Sequence, residues 1–319
     1  MRLFLVSIFI VFSVLIHAQV FERYQEEITE VTYPQKLSVV WANDVFFQTD
    51  RYFTNGLQLE YHSQNFERFA VTGLLIDPMS ESGPLYSLTL THDIFTPKNV
   101  IGDPLQTDRP YAGVLMMGIK AEHFSREKRY RFSSEIAAGL MGEYAGGQFV
   151  QNGIHVLLPT SEPIPGWAFQ ISHTMLLQYN TGFEKGIFRS QWVSADALAG
   201  ARIGLPYTDF SGGGRIRIGQ GPDYFSPDHL LGKTRQHVYF FAEGHLRTVF
   251  YDATLQGGMF NDKNPHIIVD TNPLVGEWKT GIAAQYANLK AEAGARMVTP
   301  KFKGAVSHKW VFFKLGILF

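Results

Sequence analysis

Apolar and polar side chains alternate along this chain in one segment after another, each about ten residues long, which is the length a tilted strand needs to cross a bilayer. Between 55 and 65, Leu57, Leu59 and Tyr61 alternate with Gln58, Glu60 and His62. In PLYSLTLTH, Tyr86, Leu88 and Leu90 alternate with Ser87, Thr89 and Thr91. Residues 111–123 set Leu115, Met117, Ile119 and Ala121 on one face. Residues 129–140 set Tyr130, Phe132, Ile136, Ala138 and Leu140 against Arg131, Ser133 and Glu135. A period of two gives a strand two unlike faces. With 36–47, 166–180, 186–204, 207–219, 235–250, 274–286, 288–301 and 305–319, such segments number about a dozen, and bacterial single-chain barrels close with even strand numbers. The expected fold is all-β, an antiparallel transmembrane β-barrel of about twelve strands.

A soluble two-sheet protein would use the same alternation. Four features favour the membrane. Aromatics make up 14% of the chain and gather at strand ends, where a barrel carries its girdles. Mean hydropathy is near zero, as alternation leaves it. The final segment, WVFFKLGILF, ends on an aromatic, Phe319. MRLFLVSIFIVFSVLIHA has an early Arg, an apolar core and a small residue, Ala18, in the form of a secretory signal peptide covering 1–18, with one domain over 19–319. A membrane anchor is the alternative reading of that run. The expected location is the bacterial outer membrane.

The chain has no cysteine, so burial and hydrogen bonding must hold an exported fold. A net charge of −1, spread along the sequence, offers no field for nucleic acid. No HExxH, EF-hand loop, GxSxG elbow or phosphate-binding glycine loop is present.

Three stretches depart from plain alternation. In 146–158, GGQFVQNGIHVLL, Val150 with Ile154 and Gln151 with His155 stand at helical spacing, so a short inserted helix is expected. Residues 251–273 form a long loop. In NDVFFQTDRYFTNG, Asn43, Asp44 and Thr54 lie between two strands. Asn43 and Asp44 would face opposite sides of an ideal strand, so a shared site requires a bulge or a strand end there. Phe46, Phe47, Tyr52 and Phe53 are expected as membrane-edge anchors.

His155 is the strongest candidate base, because imidazole exchanges protons near neutral pH. The alternative is a surface or packing histidine. Glu162 follows among Pro159, Pro163 and Pro165, which would hold it stiffly. Asp44 and Glu162, with the Asn43 amide, are oxygen donors of the kind calcium takes; a solvated ion-pair network is the competing account. In TDRPYAG, Arg109 could bind phosphate with Lys98 nearby, or Asp108 and Arg109 could brace the loops.

NDVFF-TDRYFTNG on the first hairpin, TP before DRPYAG, QNGIH, GW and DATLQGG, in this order between Leu37 and Phe319, resemble the lipid A 3′-O-deacylase family. The resemblance implies a twelve-stranded barrel with its site between the wall and a short helix, hydrolysing the ester of the 3′-acyloxyacyl chain. It implies calcium as cofactor and His155 as the general base. Asn43, Asp44 and Thr54 would complete the catalytic cluster, with Glu162 as the carboxylate beyond the helix. Asp44 and Glu162 would ligate the metal, and Lys98 and Arg109 would contact substrate phosphate. The implied partner is lipid A, or lipopolysaccharide, of the outer leaflet, met by a monomer. The alternative is a non-catalytic lipid-binding or structural barrel of the same fold; a solute channel fits less well, since the helix and the long loop would obstruct it. Ile164, Ala168, Phe169, His173 and Thr174 depart from residues common in the family.

Overall fold

Twelve antiparallel strands close on themselves: β1 Lys36–Asn43, β2 Tyr52–His62, β3 Leu85–Thr96, β4 Ala112–Ser125, β5 Tyr130–Met141, β6 Thr174–Arg189, β7 Val193–Gly204, β8 Tyr207–Gln220, β9 His237–Asp252, β10 Leu274–Tyr286, β11 Leu289–Val298 and β12 His308–Leu318. Each pairs with its neighbours in sequence, and β1 joins β12 with Lys36 opposite Leu318 and Asn43 opposite Val311. The computed structural model describes residues 34–78, 83–100, 103, 106–157, 164–227, 236–258 and 269–319, and of 154–157 the backbone alone. The expected 1–18 signal segment therefore lies outside the described residues.

Burial is inverted relative to a water-soluble domain. Glu60, His62, Ser87, Thr89 and Glu122 are buried in the lumen, whereas Met117, Leu177, Leu246 and Ile282 are exposed on the outer wall. A charge on that wall would cost about 2–4 kcal/mol at the bilayer midplane, so the charged residues turn inward. There they pair across strands: Lys120 meets Glu60 and Glu122 at 3.0 Å each, Arg131 binds Glu122, and Arg215 joins Glu184 at 2.9 Å to Glu243 at 2.7 Å. Aromatics ring both rims, as girdles do. Trp41 stacks on Phe313 beside Phe46 at the loop end, and Tyr61 stacks on Phe319 beside Phe66 at the end where β1 begins and β12 stops.

Several expected boundaries move. The segment expected at 36–47 stops at Asn43, and Val45–Phe47 is a 3-10 turn. The strand expected at 166–180 begins at Thr174, because Pro165–Phe169 is a 3-10 turn headed by a proline. The strand expected from 186 belongs to β6 until Arg189, and β7 starts at Val193. Residues 251–273 are not all loop: β9 runs to Asp252, and a helical turn, Ala253–Gln256, follows it. The inserted helix, α1, spans Gly147–Leu157.

Candidate functional site

The β1–β2 hairpin is shaped by one extra residue. Pairing of β2 with β3 runs Phe53 to Phe95 and then Asn55 to Ile94, so Thr54 is a bulge. Phe53 and Gly56 both line the lumen, which leaves Thr54 and Asn55 together on the outer wall. β1 ends at Asn43, and Asp44 has helical backbone (φ −94°, ψ −4°), so the strand end expected at this pair is present. Asn43 Nδ2 donates to Asn55 Oδ1 at 3.3 Å, and Trp41 Nε1 donates to the same oxygen at 2.9 Å.

Asp44 turns the other way. Its Oδ2 accepts from Thr49 Oγ1 at 2.6 Å and from the Arg51 amide at 3.0 Å, closing the hairpin loop. The carboxyl is 1% exposed and pushed up to about 7 by burial. His308 Nε2, at 4.0 Å, is the nearest basic group paired with it among the described residues. A buried carboxyl served mainly by neutral donors is the setting a hard cation suits, and Thr49, Asp50 and Asn43 add oxygens nearby in the chain. Among the described residues, the cluster of three acidic or histidine side chains spaced for a metal is Glu60, His62 and Glu122, where Lys120 already sits against both glutamates.

A chain of hydrogen bonds ties the hairpin to α1. Thr54 Oγ1 and Thr96 Oγ1 lie 2.7 Å apart, and Thr96 Oγ1 donates to the Asp50 carbonyl at 3.3 Å. Asp50 Oδ1 accepts from Gln151 Nε2 at 3.0 Å, and Gln151 Oε1 accepts from Trp167 Nε1 at 2.7 Å. Gln151 is 3% exposed and Trp167 fully covered. Beneath them Ile94, Tyr111, Ile164 and Trp167 form an apolar cluster with Val150 and Val100 at its edge. α1 is thus pressed on the outside of the wall, over β3 and β4.

Two close approaches permit this. A Cβ on Gly113 of β4 would lie 3.0 Å from the Gly147 nitrogen, so strand and helix meet backbone to backbone. A Cβ on Gly166 would lie 2.5 Å from the Tyr111 ring, so the GW and PYAG motifs pack against one another. His155 lies one turn beyond Gln151 in α1, and its side chain lies outside the described residues, as does all of Glu162.

Of the expected site residues, Asn43, Thr54 and the helix bearing His155 come to one crevice between wall and helix. Asp44 stands at its edge, facing the hairpin loop. Lys98 is exposed, and its amide donates to Asp108 Oδ1 at 2.9 Å. Arg109 takes the bracing role: it is 2% exposed, donates to Thr254 O at 3.0 Å and Thr254 Oγ1 at 3.2 Å, and lies 4.9 Å over the Phe95 ring. Its Nε donates to the Pro110 carbonyl, so two of its three nitrogens serve the loops. Tyr52 is buried, with its hydroxyl donating to Asp108 Oδ2 at 2.9 Å, and Phe53 packs in the lumen, so only Phe46 and Phe47 of the four expected anchors are exposed. Asp50, Thr96, Gln151 and Trp167 enter the site unannounced; the i, i+4 pairing of Gln151 with His155 was the signal for one of them.

Arg109→Ala should therefore lower stability by on the order of 3 kcal/mol, the cost of breaking a buried charged contact. The midpoint of heat-modifiable gel migration reads this directly. A substrate-phosphate role would instead raise KM with no change in midpoint.

The family model for the outer membrane protein LpxR matches residues 3–318. The solved structure of LpxR from Salmonella typhimurium superposes with a TM-score of 0.72 at 21% identity, covering 89% of this chain and 100% of that one, a likeness of fold. The β domain of the Bordetella autotransporter Brka gives 0.47 at 9% identity, covering 90% and 100%. No curated protein sequence matches. With a family model spanning nearly every residue and a twelve-stranded barrel carrying its helix on the outer wall, the chain belongs to the LpxR family of outer membrane proteins, the lipid A 3′-O-deacylase family that its motifs resemble.

Proposed function

We propose that this protein is a calcium-dependent outer-membrane esterase that removes the 3′-linked acyloxyacyl chain of lipid A through water activated by His155. The observation that carries the reading is the bonded crevice on the outer wall, running from Thr54 through Thr96, Asp50 and Gln151 to Trp167. Polar side chains buried on a face that otherwise meets lipid are costly unless they serve a purpose. The surroundings suit an acylated substrate: Phe149 on α1 and Met175 and Leu177 at the start of β6 are exposed apolar side chains at the same end of the barrel.

His155 takes the proton of the attacking water. Gln151, held from both sides by Asp50 and Trp167, fixes against the wall the helix that carries the base. Asp44 and Glu162, with the Asn43 amide, would hold calcium, and the bound ion would polarise the ester carbonyl and stabilise the developing oxyanion. Water as the nucleophile needs no covalent intermediate, in keeping with the lack of a serine elbow.

The test is mass spectrometry of lipid A from cells expressing the protein, with calcium or with a chelator. Loss of the 3′-linked chain with calcium alone supports the proposal, and an unchanged acyl pattern under both conditions favours the non-catalytic barrel. Asp44→Asn is the sharper variant. The amide keeps an acceptor for Thr49 and Arg51, so the barrel should fold and migrate as wild type. Activity should drop at least a hundredfold and cease to respond to added calcium, judged by calcium titration of the purified enzyme.

A further inference from the structure

The lumen cavity at the end where β1 begins and β12 stops, about 280 Å³, lies away from the site described above and is lined by β1, β11 and β12 among others. Several of the cations that line it are already answered. Arg131, Arg215 and Arg217 each meet a carboxylate, and Lys279 lies 3.6 Å from Glu292. Lys36 and Lys314 do not: neither forms an ion pair or side-chain hydrogen bond among the described residues, although both line the cavity and Lys36 is 3% exposed. Beside them Ser38 Oγ is buried with no hydrogen-bond partner.

These groups share one spot. Lys36 and Ser38 lie on the same face of β1, and Gly316 pairs with Ser38 across the seam while Lys314 pairs with Val40. A Cβ on Gly316 would lie 3.2 Å from Ser38 Oγ and 3.4 Å from Lys36 Cε, so the glycine leaves room for both side chains. A buried ammonium and a buried hydroxyl without partners are expensive, and such groups are normally satisfied by something.

We propose that this cavity is a binding site for a phosphate group, held by Lys36, Lys314 and Ser38 across the β1–β12 seam where the barrel closes. A tetrahedral oxyanion offers acceptors in several directions, accepting from two ammonium groups and one hydroxyl at once. Its ligand is free phosphate or a small phosphate ester reaching the lumen from the end where β1 begins. Because the donors lie on the first and last strands, occupancy cross-links the seam.

The test is isothermal titration of the full-length detergent-solubilised protein with inorganic phosphate and, separately, with glycerol phosphate, using chloride at equal ionic strength as the reference. Thermal midpoints are recorded alongside. The expected result is saturable binding and a raised midpoint with at least one of the two, the tighter ligand identifying the source. Lys36→Met and Ser38→Ala should each weaken binding at least tenfold. Without phosphate, Lys36→Met should melt above wild type, since it removes a buried charge that has no ion pair among the described residues. Ser38→Ala, which deletes a single hydroxyl, keeps the test readable if Lys36→Met fails to fold. No saturable binding to wild type, or variants that bind as tightly as wild type, would overturn the proposal.

Discussion

Cells expressing the His155→Ala protein should keep the 3′-linked chain on their lipid A while wild-type cells lose it. Removing a general base costs typically 10²–10⁴ in rate, which turns a measurable conversion into none on the timescale of growth. Helix and barrel are held by different contacts. α1 is held by Gln151 and by the Ile94, Tyr111, Ile164 and Trp167 cluster, and barrel closure rests on strand pairing. Heat-modifiable migration should therefore be unchanged. If purified His155→Ala enzyme deacylates at the wild-type rate with calcium present, the base lies elsewhere.

Gly166→Ala should have nearly as large an effect from a position expected to do no chemistry. A methyl group there would sit 2.5 Å from the Tyr111 ring, a distance no packed core tolerates. Tyr111 is itself fully enclosed, so the strain passes to Trp167, the next residue in the chain. Trp167 would then lose its hydrogen bond to Gln151, and Gln151 its fixed relation to Asp50. A displacement of about 1 Å in a catalytic helix costs on the order of 100-fold. Purified Gly166→Ala enzyme should show that drop in kcat with its barrel intact by gel migration; a wild-type kcat would detach the GW turn from catalysis.

The barrel was legible because its physics is local. Alternation at period two follows from every strand meeting lipid on one side and a polar lumen on the other, and all twelve strands lie within or close to the segments it marks. It misled where apolar residues recur for another reason. Trp167 and Phe169 alternate like strand residues, but they belong to a 3-10 turn whose Trp is buried under α1. Tyr52 and Phe53 look like rim aromatics in sequence, and only the bulge at Thr54 decides which face each takes. The crevice was legible by half. Asn43, Thr54 and the helix could be named from motif order, but Asp50 and Gln151 meet across 101 residues, a contact set by the pairing of β2, β3 and β4 side by side. Ile164, a departure from the family pattern, packs against Ile94, Tyr111 and Trp167, so its apolar side chain serves the floor of the crevice.

The Thr54 bulge has a consequence for kinetics. By turning Thr54 and Asn55 outward together, it sets the polar crevice on the lateral surface of the barrel, on the far side of the wall from the lumen. A deacylase built this way meets its substrate by diffusion in two dimensions. Its velocity in mixed micelles should follow the mole fraction of lipid A at the interface, and diluting the substrate with inert detergent should slow it even when the total amount per millilitre is held constant.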